Sequence, residues 1–380
     1  MNLQSQEQKY EKIRRRRSSP SPSQKINMKK ERMYCSTSST WGEEAEDTRS
    51  EDEFEDYLKK FDDPRLAWMT RTLDKSIDYE VKCFLSNRKY KAPGITTVAS
   101  DANKLKNRYD DIPCIDQSRV ILRGKHSDYI HANHVTTPRG RRFICAQGPT
   151  SNTVVDFWHM ILQENCRTIV MLCNNYEGKV EKVANYCPSS VGTTFEICHI
   201  FVTLSSRIVF AKYGYTVSRL DVQVGSANIK IKHIHFTKWP DHSAPVDVDG
   251  IIELHRELLN NPSIGPVLVH CSAGVGRTCT FVGIEILLER ILQCRNVSAI
   301  SVLKELRHIR VSAIQKAVQF VFMHYVLLEL FCQDGVMDED DSRMAEYREK
   351  FRKLLKKYEL KAFRSRHREM GSAKAVESSH

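Results

Sequence analysis

The sequence lacks a disulfide or zinc framework: its twelve cysteines include no Cys-x2-Cys pair, and no apolar leader opens the chain. Free thiols in a reducing compartment are therefore expected. A membrane-length apolar run is also missing, because the longest, from Val318 to Phe331, is short and interrupted by Gln319, His324 and Glu329. A soluble intracellular protein is the expectation. Apolar residues are scarce at both ends, where the basic cluster Arg14–Arg17, the serine–proline run at 18–23 and the acidic stretch Glu43–Asp56 cannot build a core. Residues 1–60 thus read as a disordered polar tail, 61–333 as one large domain, and 334–380 as a basic, partly helical extension. The 41% hydrophobic content suffices for that single core, and much of the +11 net charge falls in the ends. Arg14–Arg17 reads as a nuclear address or an anionic-surface contact, and no nucleic-acid partner is expected.

What the chain does have is a dense stretch from Val267 to Phe281. An apolar run stops at Cys271, a small-residue loop follows, and Arg277 opens a pattern (Phe281, Ile284, Leu287, Leu288, Ile291) with helical spacing. Strand, anion cradle and helix follow in that order. Gly274 and Gly276 let the loop Ser272, Ala273, Gly274, Val275, Gly276 turn its N–H groups inward onto one point, as loops before helix N-termini do when they bind phosphate. A thiol becomes a good nucleophile when ionised, and helix N-termini and guanidinium groups favour the thiolate. The same features bind a phosphoryl dianion: Arg277 would hold two of its oxygens while Cys271 attacks in line, with Thr278 bonding the sulfur.

His270-Cys-Ser-Ala-Gly-Val-Gly-Arg-Thr278 resembles the His-Cys-x5-Arg-Ser/Thr signature of the protein tyrosine phosphatases. Further motifs resemble that family in its order over residues 61 to 333. Lys106-Asn-Arg-Tyr-Asp-Asp111 is similar to the segment lining the family's pocket mouth, which implies that Tyr109 stacks on the substrate ring and Asp111 holds the substrate backbone. Asp128-Tyr-Ile-His-Ala-Asn133 and Phe143-Ile-Cys-Ala-Gln-Gly-Pro149 resemble scaffold motifs and are given no chemistry. Glu177 resembles the glutamate that orients the phosphate-binding arginine, with Lys182 five residues on. Thr237-Lys-Trp-Pro-Asp-His-Ser-Ala-Pro245 resembles the family's mobile Trp-Pro-Asp loop, which implies that Asp241 protonates the leaving oxygen and that Trp239 and Pro240 make its packed hinge. Gln315-Lys-Ala-Val-Gln319 is similar to the segment that positions the hydrolytic water; two glutamines four apart are expected on one helical face.

The resemblance implies an α/β (α+β) domain, a twisted mixed sheet flanked by helices. The implied reaction is two-step hydrolysis of phosphotyrosine in proteins: Cys271 as nucleophile, Arg277 as phosphate clamp, Asp241 as general acid then base, and Gln319 placing water. His270, Glu177, Lys182 and Trp239 are supporting residues. No metal or other cofactor is needed. A phenolate leaves with a pKa near ~10, so protonating it is worth about 10²–10⁴ in rate. An aromatic wall at Tyr109 makes the pocket deep enough for a phosphorylated phenyl ring and too deep for a short serine stem. Several positions depart from the pattern: Pro113-Cys-Ile115, Cys187 where the family has tryptophan, Ser243-Ala244, Cys279 for a glycine and Lys316 for a threonine. Cys187 is expected to alter packing rather than chemistry. The departures leave a second reading open, a phosphotyrosine-binding module of the same fold that is catalytically weak or inactive. A phosphoserine or phosphoinositide phosphatase is a third, opposed by Tyr109 and the acidic Asp110-Asp111 pair.

Overall fold

Asp63 caps the first helix, α1 (Pro64–Ser86). Its carboxylate accepts the Arg65 N–H at 2.8 Å, and Pro64 enters where a missing N–H costs nothing. Ser76, at φ 65°, kinks α1 into two segments. Trp68, Met69, Leu73, Ile77 and Phe84 are buried, whereas Leu85 is exposed. The computed structural model describes residues 63–124, 127–293 and 297–377, with side chains as far as 360. The tail expected over residues 1–60, with Arg14–Arg17, lies outside them.

After a short helix α2 (Val98–Ala102), β1 (Arg119–Ile121), β2 (Tyr129–Thr136) and β3 (Arg142–Ala146) form an antiparallel edge. Helix α3 (Val154–Gln163) then leads to β4 (Thr168–Met171) and a two-stranded ribbon, β5 (Tyr176–Glu177) and β6 (Val180–Glu181). An antiparallel meander follows as β7 (Thr194–Ile197), β8 (Ile200–Phe210), β9 (Tyr215–Val224) and β10 (Ala227–Phe236). Three of these run ten or eleven residues rather than forming short strands, because β8, β9 and β10 pair over nearly their full length. Helix α4 (Asp249–Asn260) precedes β11 (Val267–His270). The order β1-β2-β3-β11-β4-β10-β9-β8-β7 makes a nine-stranded mixed sheet, parallel through β3, β11, β4 and β10. All four residues of β11 and of β4 are buried, as strands covered on both faces should be.

The helices α5 (Arg277–Gln293), α6 (Ala299–Ile309) and α7 (Ala317–Gln333) complete the domain. Apolar nearly all round, α7 is a core helix packed on α1 and α5. The last helix, α8 (Ser342–Glu377), lies on α1 and α7. An apolar stripe through Met344, Tyr347 and Phe351 of α8 is buried. It then continues through Leu355, with Leu354 only half-buried, as a 3.6-residue period requires over a 3.5-residue one. Tyr347 donates to Glu80 of α1 at 2.7 Å, and Phe351 meets Tyr325 at 4.4 Å between centroids. Among the described residues no helix is long and apolar enough to cross a membrane.

Candidate active site

Parallel strands open a crevice beyond their carboxyl ends, and β11 delivers Cys271 there, 3% exposed. The following loop closes on the sulfur: the Gly274 N–H donates to Cys271 Sγ at 3.2 Å. Gly274 has φ +71°, and a Cβ there would stand 2.1 Å from Ala146 O, so only glycine fits. A side chain at Gly276 would collide with Gln315 Oε1 at 2.7 Å; its absence brings the glutamines up to the loop.

The carbonyls that must point away from the pocket are collected by Arg310, a residue to which the sequence alone gave no role. Arg310 is 1% exposed and donates to Gly274 O at 2.6 Å, Ala273 O at 3.0 Å and Asn133 Oδ1 at 2.7 Å. It also bonds His131 Nδ1 at 3.0 Å, while His131 Nε2 meets Ile112 O at 2.7 Å. A guanidinium only donates and a carbonyl only accepts, so His131 is neutral with its proton on Nε2. Burial and then Arg310 bring its pKa down to about 3. The Asp128–Asn133 motif, read as scaffold, thus anchors the arginine that shapes the loop. His131 and Asn133, polar residues on the buried stretch Tyr129–Asn133 of β2, were the available signal.

Arg277 begins α5, 2% exposed, and four acceptors fix its guanidinium. Nη1 and Nη2 reach the two oxygens of Glu177, the latter at 3.2 Å; Nη1 also donates to Trp239 O at 3.1 Å and Nη2 to Asp241 Oδ1 at 3.0 Å. Burial opposes the charge most strongly, but Glu177 together with Cys173, Cys271 and Asp241 outweighs it and keeps the group protonated. The β5–β6 ribbon places Glu177 there and carries Lys182, whose Nζ donates to Asp241 Oδ2 at 2.8 Å. Desolvation raises the Asp241 pKa, yet Arg277, His242 and Lys182 together bring it down to about 2. Asp241 is therefore ionised here and engages an Arg277 Nη2 donor that a phosphate would need.

The Trp239 indole is buried against Phe236 and Phe322 and donates to Ser243 O at 2.9 Å, closing a turn through His242 at φ 55°. At the mouth, Arg108 pins its segment by donating to Gly148 O and Pro149 O at 3.2 and 2.6 Å. Ser272 donates to Lys182 O at 3.1 Å, so Tyr109 donates its hydroxyl proton to Ser272 Oγ at 2.8 Å. The resulting cleft of about 200 Å³ brings together Tyr109, Asp111, Lys182, Asp241, Cys271, Ser272, Ala273, Gly276, Arg277, Gln315 and Gln319. Ile112 and His242 also line it.

Two expectations differ from what is observed. Thr278 Oγ1 is buried with no hydrogen-bond partner among the described residues; the sulfur is met by the Gly274 N–H instead. The glutamines do converge, but not as neighbours on a helix: α7 begins at Ala317, after Ile314 at φ 57° and an extended Lys316. Gln319 Oε1 caps that start, accepting from Gln315 N at 3.1 Å and Lys316 N at 3.3 Å. Cys279, at the first turn of α5, is accommodated without opening the loop. It is fully buried, its thiol faces Cys145, and it lies 3.7 Å from Gly274 O.

Behind the nucleophile, His270 Nδ1 lies 3.3 Å from Cys271 O, and Tyr186 Oη lies 2.8 Å from His270 Nε2 and 2.6 Å from His233 Nε2. Since the carbonyl only accepts, His270 donates through Nδ1 and takes the Tyr186 proton at Nε2; Tyr186 then accepts from His233. Burial brings the His270 pKa down to about 3, so the chain of groups is neutral.

Residues 103–329 match the protein-tyrosine phosphatase family model, over more than half the chain. The chain belongs to the protein-tyrosine phosphatase family. Tyrosine-protein phosphatase non-receptor type 20 of Rattus norvegicus is 33% identical over 231 residues, covering 60% of this phosphatase-family chain and 55% of the relative. Tyrosine-protein phosphatase 69D of Drosophila melanogaster is 38% identical over 251 residues, 62% of this chain and 17% of that protein. A solved structure, titled as the structural basis of the PTPN18 fingerprint on distinct HER2 tyrosine phosphorylation sites, aligns with TM-score 0.59 and 25% identity, covering 73% of this chain and 99% of its own. The chain spans about half the length of the type 20 relatives it matches.

Proposed function

We propose that this protein hydrolyses phosphotyrosine in other proteins through a phosphocysteine on Cys271. The observation that carries the reading is the convergence of Cys271, Arg277 and Asp241 in one cleft walled by Tyr109. A phosphoryl dianion entering the loop takes the Arg277 fork from Asp241, and its negative charge favours a proton on the displaced carboxyl. Cys271 Sγ then attacks phosphorus in line while Asp241 gives that proton to the departing phenolate oxygen. The inward N–H groups and Arg277 stabilise the charge on the equatorial oxygens.

In the second step water attacks phosphorus of the phosphocysteine, the S–P bond breaks to return the Cys271 thiolate and release phosphate, and Asp241 accepts the water's proton. Gln315 and Gln319 flank the loop for that water; with Gln319 Oε1 spent on the helix cap, its amide N–H groups serve as donors. Tyr109 supplies the wall that favours a phenyl ring. Lys182 holds Asp241 before substrate arrives, and Asp111, exposed at the mouth, is placed to accept from a substrate backbone N–H.

All ten cysteines among the described residues are free thiols, which supports the reducing cytoplasm as the place of action. The exposed basic residues Arg352, Lys353, Lys356 and Lys357 of α8 support contact with an anionic surface. Phosphate release by the full chain from a phosphotyrosine peptide, with the matching phosphoserine peptide as control, tests the reading. Release from the first alone is expected. Intact binding of the phosphotyrosine peptide with no release would establish the binding-module reading instead.

A further inference from the structure

A second cavity, of about 250 Å³, opens on the face formed by β8, β9 and β10 and is lined in part by Tyr186, Cys187 and Pro188, the segment without the tryptophan that the family resemblance leads one to expect. The altered packing expected at Cys187 is thus a void with a polar lining. Its ionisable walls are basic or weakly acidic: Arg207, His233, His235, Tyr186 and Cys187, with no carboxylate. Arg207 is half-buried and donates to Ser218 Oγ at 3.1 Å and Ser189 O at 2.8 Å, both neutral acceptors. Among the described residues no carboxylate lies within ion-pair distance of it, and its Nη2 has no partner. A guanidinium held in a recess without a counter-ion is a site for an oxyanion, which its planar fork can bind through two parallel hydrogen bonds.

We propose that this cavity binds a small oxyanion, a carboxylate or phosphate on a compact body, with Arg207 as its anchor. The volume exceeds what a bare anion fills and falls just below the usual range for small-molecule sites, so the ligand is small or enters by one end. Met171, Leu220 and Pro188 offer apolar contact to its body, and Asn185 and Ser189, both exposed, mark the rim. Hydrogen bonds link the cavity wall to the catalytic strand: His233 is joined through Tyr186 to His270 and the Cys271 carbonyl. The proposal does not depend on turnover at Cys271.

Site-resolved NMR of the full chain, following the Arg207 and Arg277 guanidinium signals separately, tests it with inorganic phosphate and with benzoate as probes. Arg207 should shift saturably with at least one probe, with a midpoint independent of that at Arg277. Cys187→Trp, which refills the void, should abolish the Arg207 response and leave the Arg277 response as the sign of an intact fold. In calorimetry, Arg207→Met should lose one of two binding equivalents for the responding probe, whereas Arg219→Gln, an exposed neighbour, should keep both. An Arg207 signal unmoved by either probe up to roughly 10 mM, well past a ~1 mM site, overturns the proposal. So does an equal response in Cys187→Trp.

Discussion

Asp241 has two tasks that compete. In the free protein it is an ionised counter-ion to Arg277 and Lys182; during turnover it must carry a proton and release the guanidinium to phosphate. Asp241→Ala removes both tasks at once. The expected result is a kcat lower by about 10²–10⁴ from the lost proton transfer, with a KM that falls because no carboxylate occupies the fork. Steady-state kinetics on a phosphotyrosine peptide give the two numbers. A KM that rises would mean that Asp241 helps to bind substrate rather than excluding it. The residues proposed to contact the phosphate were legible in the sequence because a nucleophile, glycines and an arginine at fixed spacing have few other uses. Arg310 was not legible, since its partners on β2 and in the loop lie far away in the chain, and only the fold brings them within 3 Å of its side chain.

Among the buried neutral histidines are His131 on β2, His270 on β11 and His324 on α7. Burial brings their pKa values down to about 3, about 3 and about 4. An unfolded histidine titrates near 6.5, so below that pH the unfolded chain binds protons that the folded one refuses. Their contribution is full above pH 6.5 and is lost as pH falls toward 4 for His324 and toward 3 for His131 and His270. Each histidine adds a slope of up to about 1.4 kcal/mol per pH unit. Urea titrations at pH 7.5 and 5.5 should show a falling stability, and His131→Asn, which still offers Arg310 an acceptor oxygen, should reduce the fall. An unchanged slope in that variant would show that His131 protonates inside the fold.

Element boundaries were readable where apolar periodicity was strong, as in α5. They were misread where a turn intervened: Gln315 and Gln319 keep the spacing of a helix, but the chain between Ile314 and Lys316 is not helical, and the cap made by Gln319 becomes visible only once the start of α7 is fixed.

At the scale of the whole molecule, the mixed sheet and its flanking helices followed from motif order, while α8 was ambiguous because an amphipathic basic helix can pack or stand free. Its apolar stripe is buried on α1 and α7, which leaves the basic face outward. Binding to vesicles of anionic lipid is expected to weaken with salt and to vanish in a chain ending at Asp334; equal binding by the shortened chain would clear α8 of the role. The central claim is covalent catalysis at Cys271, and acid quench during turnover of a labelled phosphotyrosine peptide tests it most directly. The account predicts label on the Cys271 peptide, more of it in Gln319→Ala, and none in Cys271→Ser. Phosphate release with no label at Cys271, or release that persists in Cys271→Ser, would contradict it.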